Sequence, residues 1–406
     1  MRKLLLGLLL ASPSLLWAQG SQVNTQSQKA VGMAGAGSAL FVDESSIFYS
    51  PGALAKMNGN AVSANVSAIM YRSAFQEAGA NEVYDTKFKI TPPFSVFATF
   101  SPEGARWKAG LGIYTPFGGS VNWGEEWPGK YELNHLQMRA IYIQPTISYK
   151  ITENLGIGAG FVYNLGLVDL SRSLPVSGPD GKSGRAELSG TGTGTGFNVG
   201  AHYHVEDVFA LSVSYRSKVN TKLKNGDAEF TVPDALASSF PNTTFNAELP
   251  LPASLNIGLS FPVSSKVDIA ADATFLNYSV YKKLVFDYKD NTPVLTDTEQ
   301  EKNYKNGFSG KIGVNYQTTP KLALRAGMGY VASPVRAEYV SPETPDNDRI
   351  MGSIGFTYGI SDKWELSGAY VLQHLKSRHV TSVATGLSGI YETNIHAPGI
   401  SLTYKW

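Results

Sequence analysis

Two histidines one residue apart, His202 and His204, stand beside Glu206 and Asp207. On a strand they would share a face and offer two imidazoles to a metal ion. A tetrahedral site needs a third and a fourth ligand, and nothing in the spacing fixes them, so a solvated pair near a turn is the plainer reading. The run Gly190-Thr-Gly-Thr-Gly-Thr-Gly196 has the glycine density of a phosphate loop. It lacks the lysine and any following helix, and its glycines fall on one strand face, which suggests close packing against the N-terminal segment or a bend. Ser, His and Asp are all present for a surface hydrolase triad, yet no Gly-x-Ser-x-Gly elbow selects one, and His135, His374, His379 and His396 lie in or near loops. Cysteine is absent, which removes disulfides and Cys-ligated metal. No metal set and no cofactor motif is left. Arg172 is a different case. A guanidinium in an apolar setting is suited to a carboxylate, which is costly to bury unpaired and which arginine grips with two parallel bonds.

The elements that must position these residues are strands. From Arg139 to Lys150, Ile141, Ile143, Pro145, Ile147 and Tyr149 oppose Ala140, Tyr142, Gln144, Thr146 and Ser148. Lys321 to Val331 and Trp364 to Gln373 repeat the split. A period of two means two different environments on the two faces. Short links at 101–106, 151–154, 205–207, 262–265, 317–320 and 359–362 alternate with long polar ones near 73–85, 119–137, 173–184, 223–252, 284–306, 332–347 and 379–393. Even strand number, short turns at one end and long loops at the other describe an all-β, antiparallel transmembrane barrel of about fourteen strands. Forty-one glycines and 11% aromatics fit that class, whereas a soluble sandwich has no reason to sort its loops by length.

Residues 1–18 read as an export signal: Arg2 and Lys3 precede an apolar run to Trp17, and Ala18 is small enough for cleavage. Removing Arg2 and Lys3 takes the formal charge from +1 to −1, which leaves no basic excess for nucleic acid. Ile400, Leu402, Tyr404 and Trp406 share the last strand's face. An aromatic end of this kind is what the barrel-assembly machinery reads, with Trp406 standing where Phe is commoner. The pattern breaks in two places. Tyr114-Thr-Pro116-Phe117-Gly118-Gly119 interrupts a good alternation, as Pro and Gly do at a bulge or at an ordinary strand end. Asn24 to Leu54, ahead of the strands, is rich in small residues and alternates with nothing.

Asn24, Gln26 and Ser27, the turn at Gly32 and Gly37, the acidic pair Asp43-Glu44 and Ser50-Pro51-Gly52 form a pattern that resembles the N-terminal hatch of the FadL/TodX-type outer-membrane transporters. In that family Asn-Pro-Ala stands where Ser50-Pro51-Gly52 does here. Ser333-Pro334-Val335 with Pro345-Asp346-Asn347-Asp348-Arg349, and Tyr215-Arg216-Ser217, extend the resemblance over nearly the whole mature chain. It implies a division into signal (1–18), hatch (19–59) and barrel (60–406). It further implies passive transport of long-chain fatty acids or other hydrophobic molecules in the outer membrane of a Gram-negative bacterium by a monomer embedded in lipid and lipopolysaccharide. Cargo would wait in the lumen behind a hatch carrying Asn24, Gly32, Gly37, Asp43 and Pro51. It would leave sideways through a kink of the third strand at Pro116, Phe117 and Gly118.

Arg172 matches the carboxylate-binding arginine of the family, and Lys302 or Lys305 lies near its second basic residue. A rim arginine paired with lipopolysaccharide or a loop acid is the other reading of Arg172. The fourth long link, 223–252, carries Val232, Leu236, Phe240, Phe245, Leu249 and Leu251, either a contact surface or a patch folded under the loop. Two other classes of function stay open: an outer-membrane lipid hydrolase, and a structural or adhesive barrel.

Overall fold

The computed structural model describes residues 22–177, 181–383 and 385–406. Residues 1–18, expected as an export signal, lie outside the described residues. Fourteen antiparallel strands close a barrel, each hydrogen-bonded to its neighbours in chain order and the last to the first. Several are interrupted. The strands are β1 (Ala61–Ser67, Ile69–Glu77), β2 (Val83–Asp85, Ile90–Thr91, Phe94–Phe100), β3 (Trp107–Asn122), β4 (His135–Lys150), β5 (Leu155–Ser177) and β6 (Ser183–Val205). They continue as β7 (Phe209–Arg216, Val219–Thr231), β8 (Thr243–Leu251, Ser254–Ser264), β9 (Val267–Leu276, Lys283–Tyr288) and β10 (Thr298–Glu301, Gly307–Thr319). The last four are β11 (Leu322–Ala332), β12 (Arg349–Gly359), β13 (Trp364–Leu375, Arg378–Thr381) and β14 (Ser388–Lys405). Closure leaves no edge to satisfy, which a sheet in hydrocarbon requires.

The alternation read from the sequence sorts as a barrel wall should. Ile147, Phe161, Met328 and Ile354 point outward and are exposed, while Tyr142, Gln144, Ser148 and Arg325 point inward and are buried. Trp107, Tyr149, Tyr203, Tyr316, Trp364 and Trp406 gather near the short-turn end, where a membrane interface favours amphipathic rings.

Several stretches expected as loops are strand. The links near 173–184, 223–252 and 284–306 shrink because β5 and β6, β7 and β8, and the outer segments of β9 and β10 carry their ladders beyond the bilayer. β5 and β6 are 23 residues each, about twice what crossing a bilayer needs. The apolar residues of 223–252 explain the extension, since Phe245 and Leu251 alternate inward and are buried in the barrel.

The glycine run also has a definite job. Between Arg216 and Lys222, β7 leaves the β6 ladder and bows inward over it. A Cβ at Gly192 or Gly194 would meet the Lys222 or Asn220 backbone oxygen at 2.9 or 2.5 Å. The glycines accommodate a bend of the neighbouring strand, not the N-terminal segment.

Residues 22–60 sit inside the barrel as two single helical turns, α1 (Gln28–Val31) and α2 (Ser46–Tyr49), and a 3-10 turn, Pro51–Lys56. Such short turns have no stability alone. Burial against the wall holds them: Ile47, Phe48 and Leu54 pack with Phe97, Tyr114, Phe117 and Tyr142.

Candidate functional site

The N-terminal segment is fixed by polar wall residues that reach its backbone. The Asp272 carboxylate accepts the Gly37 and Ser38 N–H groups at 2.7 and 3.3 Å. Gly37 has φ +119, and a Cβ there would strike the Phe41 ring at 2.6 Å. Gln144 donates to the Ile47 carbonyl (2.7 Å), Ser214 to that of Tyr49 (3.0 Å) and Arg216 to that of Phe48 (3.1 Å). The Arg216 guanidinium also lies 4.2 Å from the centre of the Phe48 ring.

Asp43 accepts from Ser45 and pairs with Lys29, which bridges to Glu365 at 2.6 Å. Burial, reinforced by Asp43, pushes the neighbouring Glu44 carboxyl up from its usual range. Gly32 packs on Gly355 and Pro51 on Gly158 and Gly200. Below them, the Lys56 ammonium donates to His204 Nδ1 at 2.6 Å and to the Asn154 carbonyl at 2.5 Å, and burial pushes its pKa down to about 8. His202, expected as half of a solvated pair, is buried and bonds the Ala39 carbonyl at 3.0 Å. Among the described residues no group of three metal-ligating side chains forms.

At the interrupted motif the wall parts. The β2–β3 ladder runs from Phe100↔Ala109 to Ser95↔Tyr114 and stops, and just beyond it the Phe94 N–H donates to Thr115 Oγ1 at 3.0 Å. The two chains meet again at the outer end, where the Lys87 N–H donates to the Asn122 carbonyl at 2.6 Å. A register shift between Tyr114 and Phe117 then turns β3 away, still paired to β4 through Phe117↔Ala140 and Gly118↔Arg139. The edge so freed takes up the start of the N-terminal segment: Gln22 forms an antiparallel bridge with Phe117, and the Val23 N–H donates to the Pro116 carbonyl at 2.8 Å.

Above the N-terminal segment lies a cavity of about 290 Å³ lined mostly by apolar side chains, among them Leu223, Phe245, Leu251, Tyr278 and Phe286. Gly118, Gly119 and Ser120 line it, as does Arg139, whose neighbour Ala140 points inward. The cavity therefore reaches the break in the wall. Trp123 and Trp127, stacked at 4.5 Å, pack with Phe75 and Tyr391 in one hydrophobic cluster with several of the cavity's residues.

The cations expected from the sequence are placed differently from one another. Arg172 sits half-buried toward the outer end of β5 and does not line the cavity. Lys305 does not line it either. Lys302 does, buried and paired with Glu343 at 2.5 Å. Burial opposes its charge, but Glu343, with Tyr281 and Glu132 nearby, together more than offset this and the pKa is raised. Arg349, also in the lining, is 3.6 Å from Asp346. Sequence reasoning passed over Arg349, Glu343 and the wall clamp Arg216, although two of the recognised motifs contain Arg349 and Arg216. Their roles depend on which strand face meets which loop.

The profile of the family described as "Outer membrane protein transport protein (OMPP1/FadL/TodX)" matches residues 9–406. A chain described as an outer membrane protein in Neisseria meningitidis serogroup B is 26% identical, over 99% of this chain and 98% of that one. The crystal structure of a Pseudomonas aeruginosa FadL homologue superposes with a TM-score of 0.85 at 21% identity, covering 95% of this chain and 100% of that one. That of the Pseudomonas putida toluene transporter TodX gives 0.72 at 14%, covering 96% and 99%. At these identities the structures speak for the fold, and the profile, which spans almost the entire chain, speaks for descent. The chain belongs to the OMPP1/FadL/TodX family of outer-membrane transport proteins for hydrophobic compounds.

Proposed function

We propose that this barrel passes small hydrophobic molecules across the outer membrane by diffusion, holding them in the apolar cavity and releasing them sideways between β2 and β3. The observation that carries the reading is the continuity of that cavity with the break at Pro116, Phe117 and Gly118. An apolar solute gains about 0.8 kcal/mol for each methylene it buries and loses it again on entering water, so a lateral exit into lipid spares it the aqueous step. The N-terminal segment acts as the hatch, since Gln22 and Val23 are the residues that bridge the freed edge of β3. Lys302 and Arg349 each already face a carboxylate, so this part of the cavity favours neutral cargo such as the toluene named for TodX. An acidic head would need another cation.

Gln22→Cys with Phe117→Cys tests the exit. The chain has no cysteine of its own, and antiparallel bridge partners sit about 4.5–5.5 Å apart, within disulfide range. In liposomes the oxidised protein should stop toluene uptake and the reduced protein restore it. Equal uptake in both states would place the exit elsewhere. No uptake by either, or by the unaltered chain, would remove the transport reading.

A further inference from the structure

The outer surface of the wall changes character beside the break. From Tyr149 to Ile141 on β4, and from Ile157 to Leu167 on β5, every outward side chain is apolar or aromatic. Each run matches the roughly 9–11 residues with which a tilted strand crosses hydrocarbon, so Ile141 and Leu167 mark its outer limit. The next outward residue of β4 is Arg139, followed by Gln137, at the level of the outer-leaflet head groups. Arg139 is half-buried, and among the described residues its guanidinium makes no hydrogen bond and no ion pair. Its ladder neighbours, Gly118 and Leu167, offer it no acceptor side chain.

β2 brings more positive charge to the same place. The Lys87–Asn122 bond keeps the register of Ser95↔Tyr114 across the gap, which sets Lys89 opposite Ser120. Over that small side chain Lys89 reaches across β3 and donates to Gln137 Oε1 at 2.8 Å. Gln137 and Arg139 are successive outward residues of one strand, about 7 Å apart, so ammonium and guanidinium flank one spot. Phe88 and Ile90 alternate with the lysines and are 73% and 50% exposed. Asp169, opposite Gln137, is the acid nearest by register; it makes no ion pair among the described residues and stands against Lys87, Lys89 and Arg139. Asp85 and Glu125, farther out, pair with Arg72 and Arg185.

We propose that this patch holds a phosphorylated lipid of the outer leaflet, the lipid A of lipopolysaccharide, at the rim of the break. One phosphate sits between Arg139 and Lys89, with Gln137 Nε2 as a third donor. Its acyl chains lie down the apolar outer face of β4 and β5, and Phe88 and Ile90 enter the same layer. A guanidinium fork and an ammonium are the donors a phosphate takes. Position selects the lipid over free phosphate: the cations crown an apolar face and alternate with exposed apolar side chains, for which a small anion in water has no use. The assignment rests on the closed barrel and the family's place in the outer membrane, and not on the transport reading. The lipid borders the exit without being cargo.

The experiment is binding of hexa-acylated lipid A to the full chain, stripped of lipopolysaccharide in a neutral detergent and followed by native mass spectrometry. Arg139→Gln, Lys89→Gln and Lys266→Gln are measured beside the unaltered chain, the last removing the same charge from the short turn between β8 and β9. Loss of the charge-assisted contact should weaken lipid A about tenfold in Arg139→Gln and about threefold or more in Lys89→Gln. Lys266→Gln should stay within about twofold, as a lone charge far from the site. Arg139 and Lys89 stand on different strands, so either variant carries the test if the other does not fold. Phe88→Ser, which removes no charge, should also weaken lipid A. Equal binding by all of these proteins overturns the proposal. Lipid A stripped of its phosphates that binds as tightly as the parent shows acyl contact alone, and overturns it too. Full displacement of lipid A by millimolar inorganic phosphate, with the same dependence on Arg139, makes this a free-anion site and overturns the lipid assignment. Toluene uptake plays no part in the readout, so failure of the transport reading would leave the result standing.

Discussion

Replacing Arg216 by Met should loosen the hatch without opening the barrel. Arg216 is 6% exposed, donates to the Phe48 carbonyl at 3.1 Å and lies over the Phe48 ring at 4.2 Å. A hydrogen bond from a charged donor contributes about 1.5–3 kcal/mol, and a desolvated guanidinium over a ring about 2 kcal/mol. Against this stands the burial of a charge that makes no ion pair among the described residues, which cancels roughly half and leaves about 2 kcal/mol net. That is about a thirtyfold shift toward the undocked segment. Hydrogen exchange of the amides from 45 to 56 in detergent micelles reads it, because Ala55 donates to Ser148 of the wall and the short turns that hold the others have no stability once the segment leaves the wall. Exchange there should accelerate about thirtyfold in Arg216→Met and about tenfold in Arg216→Lys, which keeps the charge but loses the flat contact, while the β5–β6 ladder stays unchanged. Toluene flux into liposomes should rise in the same order. Unchanged exchange in both variants, with the barrel intact, would refute the claim that Arg216 clamps the segment. Faster exchange without faster flux would separate docking from gating.

Gly37→Ala forces a side chain into φ +119 and onto Phe41, and so should cost about 1–3 kcal/mol of backbone strain, seen as lost proteolytic protection of the N-terminal segment while the barrel keeps its heat resistance. Burial depresses the Lys56 pKa from 10.5 to about 8, so the unfolded or undocked chain holds the proton more tightly. Docking should therefore strengthen as pH rises from about 8 toward 10.5, measured as exchange of the 52–56 amides corrected for intrinsic rate, and Lys56→Met should abolish the trend. Glu343→Gln releases Lys302 from its partner and should raise decanoate affinity about tenfold while leaving decanol unchanged; a fall for both would show that the pair serves packing alone.

The alternation of Ile141 to Lys150 determines a strand with one apolar face, and its recurrence with sorted links determines a closed barrel, because backbone in hydrocarbon has no other way to satisfy itself. Those facts are local or periodic, and the sequence carries them by itself. The interruption at Tyr114–Gly119 was visible in the same way. That the freed edge would take up Gln22 and Val23 was not, since the partners lie about ninety residues apart and only closure of the barrel brings them together. Loop lengths misled for a related reason: polar residues beyond the bilayer read as loops, but hairpin pairing continues wherever inward side chains such as Phe245 find a core.

The ion pairs mark the same boundary. Arg172, Lys302 and Lys305 are equally basic in the sequence, yet only Lys302 reaches the large cavity, and there it meets Glu343. Asp272 is one more acid on a strand in the sequence, and only the fold brings its carboxylate to the Gly37 and Ser38 N–H groups. Composition and period determine which face a residue takes. Which charge on that face keeps a partner is decided by contacts between segments far apart in the chain, and only the tertiary structure contains those.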